Sequence, residues 1–491
     1  GLPWARDFFA LAKKYCALFR ALHRENIMRD FTQAELESLF GPASHAYRAA
    51  IGVSTDSRTA LPGNLFVCLQ GDAFDGHNFV AQALEKGVSA IIASEQKRIA
   101  LQPVCDQSSV PFYFVSDTLR ALQHLAEMAR SSLKCKVLAV AGSNGKTSTK
   151  DMLFTGASAV RQNVHATAGN LNNHIGLPLT LTNIPSSAGL VILELGMNHK
   201  GELAELSKIA RPDHAIVTSI AEEHAEFFEN IEEIAEAELE VAAGMNGGIL
   251  LYHAQSAGQE VARRIAESHG LSLKIFSAES PSVDASGIHF TFRGNRLTNS
   301  NYLNLVMAEN LTGALELLAA AGFTGEELTA AAVAAHPGAA RRFEVFRRVS
   351  GGREILLIDD SYNANQASFE AGISSLRAVL PHGRLALFAG EMAELGHKSD
   401  EAHAQVGIAA ARAGYTMLFA CGRREAGLMA SAYMKHKPDG KVVRGEKPAE
   451  LLLAFSADDY DGILVKGSRR ARMDIVSDEI KRTGFMGRSY V

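Results

Sequence analysis

A chain of 491 residues is too long for one ordinary hydrophobic core and points to two to four domains. With 47% hydrophobic and 21% charged residues it has a soluble globular composition, and a net charge of −5 argues against a general nucleic-acid binder. No apolar run reaches the roughly 18 residues of a membrane span, and the scattered cysteines (Cys16, Cys68, Cys105, Cys135, Cys421) suit free thiols in a reducing compartment.

Residues 1–27 hold an apolar segment broken by Lys13 and Lys14, with no small-residue cleavage site, so they make a poor signal peptide. They read as an extension outside the domains, with an amphipathic docking helix as the rival. Met28 opens MRDFTQAELESLFG, which has a threonine cap, an acidic first turn, an amphipathic helix and a glycine stop. From 51 to 117 short strands (LFVCL, SAIIA, FYFV) alternate with helical stretches, giving a small α/β unit. A longer series begins at Lys136: KVLAVAG, LVILELG, HAIVTSI, GILLYH and SLKIFS, separated by helical segments as in a mainly parallel sheet covered on both faces. The polar stretch 277–287 leads into a hairpin at IHFTFRGNRL, and NYLNLVMAENLTGALELLAAAG is predicted helical up to Gly322. After AAHPGAARRFEVF a third series follows, EILLIDD, RLALFAG, TMLFACG and GILVKGS. The expectation is three α/β domains at 28–134, 135–339 and 340–491, the central one a phosphate-loop sheet and the last Rossmann-like.

Ligands of such sheets collect at the carboxyl ends of strands, so the residues just after the apolar runs are the ones to read. There lies Gly142-Ser143-Asn144-Gly145-Lys146-Thr147-Ser148, at a strand-to-helix turn. The glycines let the backbone curl with its N–H groups inward, and a helix N-terminus adds partial positive charge. Lys146 can neutralise phosphate oxygens, and the Thr147 hydroxyl can ligate Mg²⁺. The full GxxxxGK[ST] pattern needs glycine where this chain has Val140, so the loop is a shortened variant. It still points to nucleotide binding rather than a chance glycine turn. Glu194, ending LVILE, suits a Mg²⁺ ligand or water-holder, with a surface ion pair as the plain alternative. A lone histidine such as His224, shortly after HAIVTSI, is more often structural, and its case rests on its neighbours.

Together these motifs resemble one family, the ATP-dependent Mur ligases that build peptidoglycan precursors. GNLNNHIGLPLTL (169–181), LELGMNHKGE (193–202), IDDSYNANQAS (358–368), GEMAELG (390–396) and LVKGSR (464–469) are most similar to the member that adds D-alanyl-D-alanine. The likeness runs from about Met28 to near the C-terminus. It implies that the γ-phosphate of ATP goes to the terminal carboxylate of UDP-N-acetylmuramoyl-tripeptide, making an acyl phosphate. The amine of D-alanyl-D-alanine then attacks, phosphate leaves and an amide remains. ATP and Mg²⁺ are the implied cofactors, and a monomeric cytoplasmic enzyme of cell-wall synthesis is expected.

Carried over residue by residue, Lys146 and Thr147 match the family's phosphate loop, and Glu194 and His224 match its metal site. Lys146, Glu194 and His224 form the implied catalytic set. Asn310 matches an adenine-side asparagine, although the residues before it depart from the family string. Arg342 and Asp360 match residues that close on ATP; Asn363 and Asn365 share that loop, where turn-forming asparagines are the plain alternative. STDSR (54–58) and FDGHNF (74–79) resemble a uridine-diphosphate site in which Ser57 and Arg58 would serve the diphosphate, against a helix cap with a surface arginine. Asn170, Asn172 and Asn173 occupy the loop that faces the muramoyl-peptide in the family. Lys466, Ser468 and Arg469 sit at a late strand tip where a cation could hold a peptide carboxylate, a solvated basic turn being the alternative.

One position departs. The family's usual carbamylated lysine, a ligand of its second Mg²⁺, aligns with Glu238, and no lysine occurs between Lys208 and Lys274. Glutamate offers the same charge and donor atoms with a reach roughly 3–4 Å shorter. Either Glu238 replaces the carbamate, directly or through water, or the second metal site is weakened; an exposed helix glutamate is the alternative. Two rival functions stand beside the ligase: another amide ligase on this scaffold, similar to folylpolyglutamate synthase, and a non-catalytic nucleotide-binding homologue. STDSR and GNLNN speak against the first, and only Glu238 hints at the second.

Overall fold

The computed structural model describes residues 28–487, apart from 44, 46–48, 72–73, 222–227, 229 and 394. Residues 1–27 and His224 therefore lie outside the described residues. Internal contacts gather the chain into two compact units, one taking in the described residues to 137 with 165–193 and 208–211, the other 138–164, 194–207 and 212 onward.

The first unit opens as its sequence predicts. Thr32 caps the helix Gln33–Phe40 in a reciprocal box: its hydroxyl accepts from Glu35 N–H, and its own N–H donates to Glu35 Oε2 at 2.8 Å. Gly41, at φ 85°, ends the helix. A four-stranded parallel sheet follows in sequential order, Val53–Ser54, Leu65–Val67, Ala90–Ser94 and Phe112–Val115. Successive side chains alternate between its faces. Val67 and Ile92 pack with Phe31, Leu36 and Leu122 on one side. Phe66 and Ile91 pack with Val80, Leu101 and Phe112 on the other. Burial on both faces explains why these strands read as continuous apolar runs.

The phosphate-loop sheet has six strands in the order Ser272–Phe276, Ile249–His253, His214–Val217, Lys136–Ala141, Leu190–Glu194, Val164–Ala166. Beyond it the structure adds to the sequence reading. The stretch expected only to lead into a hairpin supplies a strand of its own, Glu279–Asp284, so the excursion is a three-stranded antiparallel sheet with Gly287–Phe292 and Asn295–Asn299. The helix expected from residue 301 runs Val306–Ala320, because Asn304 turns the chain first, its side-chain oxygen accepting from Val306 N–H.

The last sheet has seven strands, ordered Lys441–Gly445, Met417–Cys421, Leu385–Ala389, Gly462–Lys466, Arg353–Asp360, Glu344–Ser350, Met486–Gly487. The first five are parallel to their neighbours, while Glu344–Ser350 pairs antiparallel on both sides. Its faces are filled by Leu356, Ile358, Leu387 and Leu464 on one side and by Phe388, Phe419, Ile463 and Val465 on the other. The register sets Asp360 opposite Lys466 at two adjacent carboxyl ends, where a ligand-binding crevice of such a sheet lies.

Candidate functional site

The strand Lys136–Ala141 ends in a loop whose two glycines are required by geometry. Gly142 has φ +120°, and a Cβ there would sit 2.5 Å from Thr218 Oγ1. Gly145, at φ +86°, would put a Cβ 2.8 Å from Asn310 Oδ1. The loop is pinned from below: Ser143 N–H donates to Ser219 O at 2.7 Å, and Thr218 Oγ1 donates to Asn144 O at 2.6 Å. The helix Lys146–Ser158 then begins at Gly145, aiming its free N–H groups into the loop.

Lys146 curls over this cradle, donating to the carbonyls of Gly142 and, at 3.2 Å, Ser143. Thr147 Oγ1 donates to Glu194 Oε1 at 3.1 Å, with both residues buried. Asn310, also buried, lies against Gly145 from the helix Val306–Ala320. The structure thus brings together Gly142, Ser143, Asn144, Gly145, Lys146, Thr147, Glu194 and Asn310, with Ser148 half-buried beside them. Glu238 is only 1% exposed, which removes the reading as a surface glutamate. Its Oε2 accepts the Gly142 N–H at 2.7 Å, and its Oε1 stands 3.8 Å from Lys146 Nζ. The carboxylate serves the loop itself.

A second cluster forms at the tips of the seven-stranded sheet. Asp360 accepts from Phe343 N–H at 3.0 Å and from Lys466 Nζ at 2.6 Å. Burial raises its pKa above the ordinary carboxylate range, against the opposing pull of the lysine. Lys466 is 2% exposed and also donates to Asn363 O. Expected to hold a peptide carboxylate, it is already engaged with a carboxylate of its own chain. Ser468 is buried, while Arg469 and Asn363 are exposed. Arg342 and Arg469 both lie over the ring of Tyr362, at 4.1 Å and 5.6 Å, a residue that sequence reading passed over because a tyrosine in a loop carries no spacing signal. Asn365 caps the helix Gln366–Val379 through its oxygen, as the turn alternative expects, yet its amide donates to Asn144 of the phosphate loop at 2.8 Å.

In the first unit Ser57 is buried and donates to Gln82 at 2.7 Å, and Arg58 forms a bidentate pair with Asp56. Asn173 lies just before the helix Gly176–Thr182, its side-chain oxygen accepting from Gly176 N–H at 2.9 Å. Asn170 is exposed and accepts through its backbone carbonyl from Asn172 N–H. Ser57, Arg58 and the Asn173 oxygen are thus all paired within the fold, while Arg58 and Asn170 are exposed.

A phosphate loop on one sheet and an acid–lysine pair at the tips of another define a nucleotide-binding α/β protein, and the chain belongs to the Mur ligase family. The family models for the Mur ligase catalytic domain, middle domain and glutamate ligase domain match residues 51–130, 140–322 and 341–469. Within that family it is similar to the UDP-N-acetylmuramoyl-tripeptide--D-alanyl-D-alanine ligases of Bacillus subtilis (strain 168), 34% identical over 88% of this chain and 93% of the relative, and Escherichia coli (strain K12), 33% identical over 88% and 94%. The crystal structure of MurF from Acinetobacter baumannii superposes with a TM-score of 0.79 at 26% identity, covering 93% of this chain and 99% of the other. A folylpolyglutamate synthase/dihydrofolate synthase from Yersinia pestis shares the fold alone, with a TM-score of 0.54 at 18% identity over 74% of this chain and 93% of the other.

Proposed function

We propose that this chain joins D-alanyl-D-alanine to UDP-N-acetylmuramoyl-tripeptide, converting ATP to ADP and phosphate. The supporting observation is the half-buried Lys146 beside the buried Thr147–Glu194 pair on the phosphate loop, in a chain that aligns over 88% of its length with ligases of that name. A carboxylate is a poor acyl donor until one oxygen becomes a leaving group, so the γ-phosphoryl group goes to it first. The amine then attacks the acyl carbon and phosphate departs.

The protein's share is positioning and charge neutralisation. The loop N–H groups and Lys146 hold the phosphates; Lys146 exchanges its two backbone carbonyls for phosphate oxygens when nucleotide enters. Thr147 and Glu194 are hard oxygen donors 3.1 Å apart and would hold Mg²⁺, which supplies further charge neutralisation there when bound. His224 stands with them by family resemblance. Glu238 orients Gly142 and Lys146, so any second Mg²⁺ would be held weakly. Arg342 and Asp360 serve ATP from the C-terminal segment, with Asn310 beside the loop. Arg58, Asn170 and Asn172 serve the nucleotide sugar and peptide, with Ser57 and Asn173 holding their loops in shape, and Arg469 and Asn363 serve the acceptor side, with Lys466 fixing Asp360 beside them. The segments 28–134, 135–339 and 340–491 act as the sugar-binding, ATP-binding and closing domains. A monomeric state and a cytoplasmic location belong to the same reading. Product analysis with ATP, UDP-N-acetylmuramoyl-tripeptide and D-alanyl-D-alanine tests the assignment; ATP hydrolysis at full rate without either peptide substrate would sink it.

A further inference from the structure

The helix that begins at the phosphate loop grips a distant piece of chain. Its second turn carries Lys150 and Asp151, both buried, with Lys150 Nζ 2.8 Å from Asp151 Oδ1. The other oxygen, Asp151 Oδ2, accepts from Gly338 N–H at 3.1 Å and Ala339 N–H at 2.8 Å. One turn on, Thr155 Oγ1 accepts from His336 N–H at 3.0 Å and donates to the Asp151 carbonyl at 2.8 Å. Glycine at 338 allows this approach, since a Cβ there would lie 2.9 Å from Asp151 Cγ and 3.0 and 3.1 Å from its oxygens, and the bonded carboxylate or the linker would have to shift. Residues just beyond are fixed differently. Arg341, at φ +64°, pairs with Asp474 and Asp478, and its carbonyl accepts from Tyr362 N–H. Phe343, at φ +57°, donates its N–H to Asp360. The connection between the phosphate-loop sheet and the seven-stranded sheet is therefore clamped on either side of Ala340, with Arg341 and Phe343, within three residues of it, in left-handed conformations.

We infer that Asp151 is a positioning residue for the reaction: it fastens this connection to the phosphate-loop helix, so that Arg342 starts from a fixed point relative to the bound phosphates. The inference rests on the proposed function only in taking Arg342 to serve ATP. A carboxylate with one oxygen on two linker amides and the other on a buried lysine holds the linker by charge-assisted bonds, stronger than neutral ones. Arg342 lies three residues past Ala339, so a shift of the clamp carries directly to its guanidinium.

The test is Gly338→Ala in the full chain, which pushes the linker off the carboxylate without touching the loop. The expected result is a fall in kcat on the order of 10- to 100-fold, as for a misplaced reacting-site group, with ADP affinity within about twofold of the parent. In the Asp151→Ala background the added Cβ has room, so Gly338→Ala should then cost little further; strict additivity would overturn the clamp. A parent-like kcat, or kcat and ADP affinity falling together, would also overturn it. If Gly338→Ala does not fold, Thr155→Val carries the same test with a smaller expected loss of kcat. Amide exchange needs no turnover and separates this inference from the proposed function: the Gly338 and Ala339 N–H groups should be protected in the parent and released in Asp151→Ala. Unchanged protection in Asp151→Ala means the clamp is not what holds the linker.

Discussion

Lys146 gathers two backbone carbonyls and, at 3.8 Å, the Glu238 carboxylate around one ammonium group, ready to be exchanged for phosphate oxygens. Lys146→Ala removes the cation that meets the transferring phosphoryl group, and ADP release should fall roughly 100-fold or more while circular dichroism stays unchanged. Glu238 calls for a paired test. Gln keeps an acceptor for the Gly142 N–H but removes the charge beside Lys146; Ala removes both and strands a buried donor, which costs about 1–3 kcal/mol. Glu238→Ala should therefore lower the melting temperature clearly more than Glu238→Gln, and both should raise the KM for ATP. With the carboxylate committed to the loop, the Mg²⁺ concentration for half-maximal rate should stay within about twofold of the parent. A several-fold rise in both variants would instead return Glu238 to the metal. Lys146 was legible in the chain, but the bond between Glu238 and Gly142 was not, because the two are 96 residues apart.

Elements were legible where the backbone itself demands particular residues. The strand–glycine–helix turn at 136–158 and the capped helix at Thr32 follow from local chemistry, and both form as expected. The strand Glu279–Asp284 escaped because it is mostly polar, contains Pro281, bulges between Glu279 and Ser282, and half-buries only Pro281 and Val283, too few apolar positions to imprint an alternation. The linker clamp escaped for another reason, since Asp151 and Gly338 are 187 residues apart. A third tie of this kind is local enough to test by pH. Asp75 caps the short helix Gly76–Phe79 and is held by Lys97 at 2.8 Å and by His77. Burial pushes its pKa up, but Lys97 and His77 outweigh it and bring the value down to about 2, from an ordinary 3.8. A depressed folded pKa gives stability that is present above the unfolded value and is lost as pH falls through the folded one. The first unit should therefore lose stability between about pH 4 and pH 2, and Asp75→Asn should flatten that part of the melting profile while already being less stable at pH 7. A profile as steep in the variant as in the parent would remove Asp75 from the account.

At the scale of the whole molecule the question is whether ATP turnover is chemically tied to amide formation or only accompanies it. A phosphate loop alone is consistent with hydrolysis by water, with transfer to a hydroxyl or with transfer to a carboxylate. The proposed reaction distinguishes itself by the route of one oxygen atom. When the tripeptide carboxylate attacks the γ-phosphorus, one of its oxygens becomes the bridge of the acyl phosphate. When the D-alanyl-D-alanine amine then attacks the acyl carbon, the carbon–oxygen bond breaks and that oxygen leaves on phosphate. With both oxygens of the terminal carboxylate labelled with oxygen-18, mass spectrometry should find one label in each phosphate released and one in the new amide carbonyl. Water-driven hydrolysis would leave the phosphate unlabelled, and attack by a substrate hydroxyl would leave both labels on the peptide. Lys146→Ala should slow the appearance of labelled phosphate and of amide by the same factor, because both descend from one phosphoryl transfer at the loop. Unequal slowing would mean that phosphate arises by a second route, and the tie between the two halves of the reaction would fail.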